Sequence, residues 1–434
     1  MAIMLVTTDL VTKIANVYNI FKECINNGTD IYLAYSGGKD STVLAILLYE
    51  WLKRNKIEGK VNIPKTITII HNDTLSEINP MEEWAKRFMT EYARRLEELG
   101  ITVKIDIAKP NIIDTFYWRV IVRGYPAPTF NFRWCVELLK IRPTKASMPN
   151  SNNSNGNGSS NSNGSNDNSN KRIVLVGSRD DESTKRKAFM NKRYYGCPTG
   201  KCTAYYFSML DNKVAPLRDW STADIWEYLR RVTAFNVDEL FWLYGCDEAR
   251  YGCWHCTLVK KQWGIYSQGK SEYMYLEALR ILYRLISDIH ELRVKKKQGY
   301  SRYGALNATA RSILLQLFRV IEEKGKDVGL RLYGLDEKIE VEGERVGEGE
   351  GEGYTLREIF YELNSKEEVE GIVKKIDPYA IASNRYIDLT NLRQSKSENV
   401  TATISKLKLI VEKERNEWIT DQIKPFILNL LSLY

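Results

Sequence analysis

Six consecutive small or polar residues, Ser36-Gly37-Gly38-Lys39-Asp40-Ser41, stand between an apolar run at 31–35 and another that begins at Val43. A strand, a glycine-rich turn and a helix in that order leave several backbone amides unpaired at the positive end of a helix dipole. Gly37 and Gly38 permit positive φ and let an anion come close to the backbone. Ser36 and Ser41 add hydroxyl donors, Lys39 adds charge, and Asp40 is placed to bind Mg²⁺ or to orient water. An ordinary strand-to-helix turn would use the same glycines, so the anion-binding reading rests on the whole string. Without a Gly-Lys-Ser/Thr ending the string is not a P-loop.

The second set of reactive residues is the cysteines: Cys24, Cys135, Cys197, Cys202, Cys246, Cys253 and Cys256. An odd count in a long chain favours metal or redox chemistry over a disulfide framework. Cys246, Cys253 and Cys256 follow C-x6-C-x2-C spacing, which can bring three sulfurs to one centre and leaves one position open. Thiolate-only sites select zinc or an iron–sulfur cluster, and spacing does not separate the two. Cys197 and Cys202, with four residues between them, suit a persulfide relay, another metal site, a labile disulfide or substitute ligands. Cys24 reads as packing, and His255 as a residue that supports the ligands or lies exposed.

Three further stretches complete the candidates. In "HNDTLSEINP" (71–80), Asp73, Thr74 and Glu77 fall beyond the carboxyl end of a strand, where ligands of open α/β sheets lie. His71 reads as a packing residue. In "VGSRDDESTKRKAF" (176–189), Arg179 and Arg186 suit phosphate or an anionic sulfur group, against the alternative of a solvated helix start. In 291–312, Arg293, Lys295, Lys296, Lys297, Arg302 and Arg311 mingle with Tyr300 and Tyr303, a pattern open to nucleic acid or to a solvated helix face.

These residues need a scaffold. Apolar β-branched runs predict strands at 31–35, 66–70, 101–107 and 173–177. Helical periodicity lies between them, as at Val43, Leu44, Leu47, Leu48 and Trp51, and from Trp84 to Leu99. The alternation predicts an α/β fold with a parallel sheet. Ser221 with Asp224 forms a capping box ahead of an apolar face at Ile225, Trp226 and Leu229. Residues 150–170, rich in Asn, Ser and Gly, read as a disordered insertion within one domain, because strand-like residues resume directly afterwards. A second weak segment, 342–353, reads as a surface loop. Long helix-prone stretches follow at 271–298 and 403–433. The expected organisation is an α/β domain at 1–245, a cysteine-bearing junction at 246–260 and a mostly helical domain at 261–434.

The chain's 434 residues are 43% hydrophobic, enough for sizeable cores, which excludes global disorder. Its formal charge of +8 permits an anionic partner without demanding nucleic acid. No apolar run reaches the ~18 residues of a membrane span. The first residues lack the positive start of a signal peptide, so no membrane association and a cytoplasmic location are expected.

Ser36–Ser41 resembles the PP-loop (Ser-Gly-Gly-x-Asp-Ser) of ATP pyrophosphatases and phosphoadenosine-phosphosulfate (PAPS) reductases. That resemblance implies an adenine-nucleotide alpha-hydrolase-like fold whose loop grips the β/γ-phosphates of ATP and makes the α-phosphate the reaction centre. Asp73-Thr74 through Pro80 resembles a second block of this superfamily, with Asn79 as an extra residue. Gly177, Arg179, Glu182, Ser183 and Arg186 match a third. Arg133-Trp134-Cys135, Leu139 to Pro143, and Arg250 to Thr257 are similar to DndC-type sulfurtransferase subunits of DNA phosphorothioation. This resemblance implies a 4Fe-4S cluster on Cys135, Cys246, Cys253 and Cys256, and a cysteine desulfurase partner as sulfur donor. It covers about residues 30–260.

The implied activity is ATP-dependent sulfur transfer. ATP and Mg²⁺ would be held by Ser36 to Ser41, Asp73, Thr74 and Gly177, with Lys39, Asp40, Arg179 and Arg186 as catalytic groups. The acceptor is open between the DNA backbone, a tRNA base and a small molecule, with DNA first. An assimilatory PAPS or APS reductase ranks second, because those enzymes use a cysteine in a C-terminal Glu-Cys-Gly-x-His motif and no cysteine follows Cys256 here. A non-catalytic nucleotide- or nucleic-acid-binding protein is the third reading.

Overall fold

The computed structural model describes the chain apart from residues 1–7, 26–28, 60–63, 149–171, 195–204, 209–211, 246–251, 267–268, 270, 296–302, 327–329, 340–352, 384, 395–397, 414–417 and 434. The chain forms two compact units. The first contains residues 1–72, 80–108 and 144–248; the second contains 73–79, 109–143 and 249–434. Two segments expected in the α/β domain, 73–79 and 109–143, are therefore built into the unit that carries the helical C-terminal part.

The first unit is organised by a six-stranded sheet of order β3-β2-β1-β4-β6-β5. Its strands are β1 (Asp30–Tyr35), β2 (Thr66–Asn72), β3 (Thr102–Ala108), β4 (Arg172–Leu175), β5 (Phe207–Ser208) and β6 (Lys213–Val214). All neighbours are parallel except β5 and β6. This is the predicted parallel-sheet architecture. Leu33 of β1 lies in register with Ile69 of β2 and Leu175 of β4. From β1 the chain moves outward through β2 and β3, then returns to β4 on the other side of β1. The strand order reverses there, and that reversal is where open α/β sheets form their ligand crevice.

Three helices fix the surroundings of β1: α1 (Thr8–Cys24), α2 (Lys39–Ile57) and α3 (Asn79–Glu98). The apolar stripe read for α2 is buried, and so are Ala45 and Ile46 between its members. The reason is that α1 and the helix Thr222–Arg231 also pack on α2, so more than one face is covered. α3 begins at Asn79 rather than Trp84. Pro80 sits in its first turn, where a missing N–H breaks no helical bond. Along α3, Trp84, Phe88 and Tyr92 recur every four residues and are buried. Phe88 stacks on Tyr35 with ring centroids 5.2 Å apart. The capping box at Ser221 and Asp224 forms as expected.

In the second unit, helix Ser271–Asp288 packs against Ala308–Gly325 and Lys424–Ser432. The helix expected over 271–298 ends at Asp288, because Arg293–Lys295 instead forms a strand antiparallel to Tyr303–Leu306. The stretch 403–433 contains parts of two helices, Glu398–Lys413 and Lys424–Ser432. The basic run, open to nucleic acid or to a solvated helix face, is partly consumed by the fold. Arg293 donates to the carbonyls of Gly304 (2.6 Å) and Ser287 (2.9 Å). Arg311 is 1% exposed and donates to Leu306, Val122 and Arg385 carbonyls. These two arginines are structural. Lys296, Lys297, Tyr300 and Arg302 lie outside the described residues, as do 150–170, most of 342–353, Cys197, Cys202 and Cys246. Among the described residues no helix is long and apolar enough to cross a membrane.

Candidate functional site

β1 ends at Tyr35 and α2 begins at Lys39, so Ser36 to Gly38 make the whole turn. Gly37 has φ +75°, and a Cβ there would lie 2.9 Å from the Cβ of Ala85. Both the dihedral and the neighbouring helix therefore require glycine. The Trp84 indole donates to the Gly37 carbonyl (3.0 Å) and ties the turn to α3. The Gly38 carbonyl accepts the Thr42 amide and the hydroxyls of Ser41 and Thr42, each at 3.0 Å. The Ser36 and Ser41 hydroxyls are 3.1 Å apart, and the Ser36 amide donates to Ser41 Oγ (3.2 Å).

The Lys39 amide donates to the Tyr244 hydroxyl (3.0 Å). Among the described residues, the amides of Asp40 and Ser41 find no acceptor, at the start of a helix of 19 residues. That is the arrangement a bound anion satisfies. Lys39 is buried, with Nζ 4.9 Å from the Tyr244 ring centroid and 3.7 Å from Asp40 Oδ2.

The loop after β4 closes on the same turn. Arg179 is 2% exposed; its Nε donates to Asp40 Oδ1 at 2.6 Å. Nη1 donates to the Trp220 carbonyl (3.0 Å) and to Asp181 (3.3 Å), and Nη2 to Thr222 Oγ1 (3.3 Å). Asp40 and Arg179 are thus brought together as predicted candidates. Arg179, however, spends its donors on the protein and serves as a strut for Asp40. Arg186 pairs with Glu182 at 3.2 Å on an exposed helix start.

Gly177 lies directly against the first turn of α2: a Cβ there would be 3.0 Å from Asp40 C and Ser41 N. Gly177→Ala is expected to push the Asp40 and Ser41 amides outward. Affinity of the turn for pyrophosphate, as a probe anion, should weaken about tenfold, with about 1–2 kcal/mol of overpacking cost; calorimetric titration and thermal melting measure both.

The second constellation is built wholly within the second unit. Cys135, Cys253 and Cys256 are free thiols. Cys253 is buried, with Sγ 3.3 Å from Thr74 Oγ1 and 3.9 Å from Glu77 Oε1. Thr74 also donates to Glu77 (2.6 and 2.7 Å). Thr74, singled out for nucleotide, therefore meets a cysteine. Asp73 Oδ1 accepts the Leu75 amide (2.8 Å) and the Tyr333 hydroxyl (3.0 Å).

Lys140 sits in a π-helical turn, Glu137–Ile141, a local irregularity often found at functional positions. Although Lys140 is solvent-accessible, its ammonium feels Cys253 most strongly, then Glu77, Cys256 and Cys135, and its pKa is raised. Burial pushes the Cys253 thiol up to about 12 and the Cys135 thiol to about 11. Both keep their protons at pH 7 unless a metal ion stabilises the thiolate. The three thiols and Lys140 act on one another electrostatically, and their donor type suits a thiolate-bound metal centre, zinc or iron–sulfur, although among the described residues the sulfurs do not gather as one close ligand group.

Of the two readings of His255, support of the ligands or exposure, the structure removes the exposed one. His255 is buried and stacks on Phe116 with centroids 3.8 Å apart. Neither ring nitrogen has a hydrogen-bond partner among the described residues, and burial pushes its pKa down to about 3. The ring is therefore neutral. Cys24 packs in α1 with its thiol on the Ile20 carbonyl (2.8 Å), as expected.

Sequence reasoning missed what shapes the cysteine turn. Arg280, fully buried, pairs with Glu277 and donates to the carbonyls of Cys256 (3.0 Å), Val259 (2.7 Å) and Lys260 (2.9 Å). Gln262 Nε2 donates to the Cys253 carbonyl (3.1 Å). An Arg and a Glu three apart among Leu276, Leu279 and Leu282 were the available signal, since charges on a buried helix face need partners.

Residues 30–259 match the family model described as the phosphoadenosine phosphosulfate reductase domain. No curated protein matches the chain. Among solved structures, the FMN adenylyltransferase of Candida glabrata, in complex with FMN and the ATP analogue AMPCPP, is 15% identical with a TM-score of 0.27. That match covers 56% of this chain and 62% of the adenylyltransferase, so this chain spans less than two thirds of it. The U34-tRNA thiolase NcsA from Methanococcus maripaludis, with its 4Fe-4S cluster, is 13% identical over 74% of this chain and 89% of its own, with a TM-score of 0.27.

Proposed function

The chain belongs to the phosphoadenosine phosphosulfate reductase domain family, and from that premise we propose that it is a DndC-like, ATP-dependent sulfurtransferase. An acceptor oxygen attacks the α-phosphorus of ATP, the bond to the β-phosphate oxygen breaks, and pyrophosphate leaves. Sulfur at the hydrosulfide level then displaces AMP from the adenylated acceptor.

The observation that carries this reading is the turn after β1. The Asp40 and Ser41 amides form a fixed pair of donors for the departing pyrophosphate, on a turn braced by the Ser36 and Ser41 hydroxyls. Lys39 adds positive charge beside them, and Arg179 holds Asp40 in place. Mg²⁺ would share the charge of the triphosphate with Lys39. Asp73 and Thr74 are further proposed nucleotide contacts.

Cys135, Cys253 and Cys256, with Cys246 as fourth ligand, would hold a 4Fe-4S cluster. The cluster would supply a thiophilic metal site for the transferred sulfur. A cysteine desulfurase is the proposed donor, its persulfide sulfur reduced to the hydrosulfide level by two electrons from a thiol reductant, and a nucleic acid, DNA first, is the proposed acceptor. Cytoplasmic action follows from both partners.

The test is product analysis with ATP, Mg²⁺, sulfide and duplex DNA as acceptor under anaerobic conditions. AMP and pyrophosphate in equal amounts are expected. ADP with phosphate, or sulfite release from a sulfonucleotide, overturns the reading and favours respectively another nucleotidase or a reductase.

A further inference from the structure

We propose that the helix Thr184–Arg193 is a docking surface for the phosphate backbone of a nucleic acid. The docked strand's service as acceptor rests on the sulfurtransferase reading; its docking does not. Nine of the helix's ten residues are exposed, and only Met190 is buried, against Tyr194, Ala215 and Val176. Lys185, Arg186, Lys187, Lys192 and Arg193 give the helix five cations, and it contains no acid.

A helix that merely faced water would mix the two signs, because opposite charges one turn apart support each other and like charges repel. It would also keep cations out of its first turn, where the helix dipole is positive. Here Lys185, Arg186 and Lys187 occupy that turn. The three acids just ahead do not neutralise the face, because the fold uses them. Asp180 accepts from Arg218 (3.1 Å) and from the Tyr205 hydroxyl (2.7 Å). Asp181 accepts from Arg179 (3.3 Å) and from the Thr222 amide (2.8 Å). Glu182 accepts the Arg179 amide (3.0 Å) and pairs with Arg186. Lys187 and Lys192 have no ion-pair partner among the described residues. The Arg193 guanidinium lies over the exposed Phe189 ring, 5.1 Å from its centroid, which steadies a planar fork suited to phosphate.

The same pattern selects the occupant. Protein interfaces are poor in lysine and centre on apolar side chains, whereas nucleic-acid interfaces are strongly positive. The helix exposes one large apolar side chain, Phe189. A membrane surface needs an apolar face to bury, and the Met190 side already lies in the fold. A duplex carries one charge about every 3.4 Å along each strand, which suits cations spread along a helix. The helix also starts close to the anion-binding turn, within the same compact unit. Ser183 Oγ accepts the Arg186 amide (3.1 Å) and caps the helix, four residues after Arg179, whose Nε donates to Asp40 (2.6 Å). Four residues of chain span at most about 14 Å. A strand held on the helix therefore lies beside the turn.

Fluorescence anisotropy of the full chain with a labelled DNA duplex of about 20 base pairs, without ATP, tests this between about 50 and 200 mM salt. Lys187→Gln combined with Lys192→Gln should weaken binding at least about tenfold and flatten the slope of log K against log salt by about two. Lys187→Arg combined with Lys192→Arg should keep both at wild-type values. The control is Lys104→Gln with Lys374→Gln, two exposed lysines on β3 and on helix Lys366–Ile376. It changes the net charge equally and should alter neither quantity. An equal loss in the control, or a wild type that does not bind the duplex at the lowest salt, overturns the proposal. So does displacement of the duplex by poly-glutamate as readily as by unlabelled DNA, which would mark the helix as the face for an acidic protein. Binding as expected without AMP release sinks the sulfurtransferase reading alone. AMP release by a protein whose DNA affinity ignores Lys187 and Lys192 sinks the docking surface alone.

Discussion

Arg179→Met should lower ATP cleavage at least about a hundredfold and stability by about 3 kcal/mol. The guanidinium is almost completely buried and holds Asp40, the Trp220 carbonyl, Asp181 and Thr222 together. Methionine keeps the volume but removes every one of these bonds. Breaking one side of a buried pair leaves the other charge uncompensated, at a typical cost of 3–5 kcal/mol. Asp40 retains some contact with water, which places the expected loss at the lower end. The catalytic loss follows from geometry: Asp40 begins α2, and a shift there moves the amides that face the anion. Arg179→Lys should rescue little, because one ammonium cannot reach four partners spread around a planar fork. Denaturant unfolding and single-turnover AMP release measure the two losses separately. A variant with wild-type AMP release would show that Asp40 needs no strut.

Cys253→Ala should remove more than nine tenths of the bound iron and sulfide from anaerobically purified protein. The wild type should hold about four of each per chain and absorb visibly as a brown protein. Cys253 is the best enclosed of the three described thiols, and its carbonyl is fixed by Gln262, so no neighbouring cysteine takes its place. Cys24→Ala is the control, since that thiol bonds to the Ile20 carbonyl within α1 and should leave the iron untouched. Metal and acid-labile sulfide analysis decides. A colourless wild type with one zinc per chain would overturn the cluster assignment and leave the thiols a structural role.

The turn after β1 was readable because everything it needs is local: two glycines, two serines and a lysine between a strand and a helix. The capping box at Ser221 and Asp224 was readable for the same reason. The supports of the turn were not. The Tyr244 hydroxyl on the Lys39 amide and Trp84 on the Gly37 carbonyl come from distant segments and leave no periodic trace. Arg293 and Arg311 show the converse error. Their charges read as open to nucleic acid or to a solvated helix face, but a guanidinium is also a five-donor cap for backbone carbonyls, and composition does not reveal which use the fold makes of it. The helix read over 271–298 failed at Asp288 because charge and helix propensity persist into Arg293–Lys295, whereas the strand pairing with Tyr303–Leu306 wins there.

The cysteine unit is stitched from three pieces of chain, 73–79, 109–143 and 249–434. Its turn is shaped by Arg280 and Gln262, both past residue 259, where the family match stops. A truncated fragment cut at that border would keep the thiols and lose their scaffolding. The border of kinship and the border of autonomous folding do not coincide in this chain. The cysteine-bearing segments can therefore be exchanged between relatives only together with the helices that shape them.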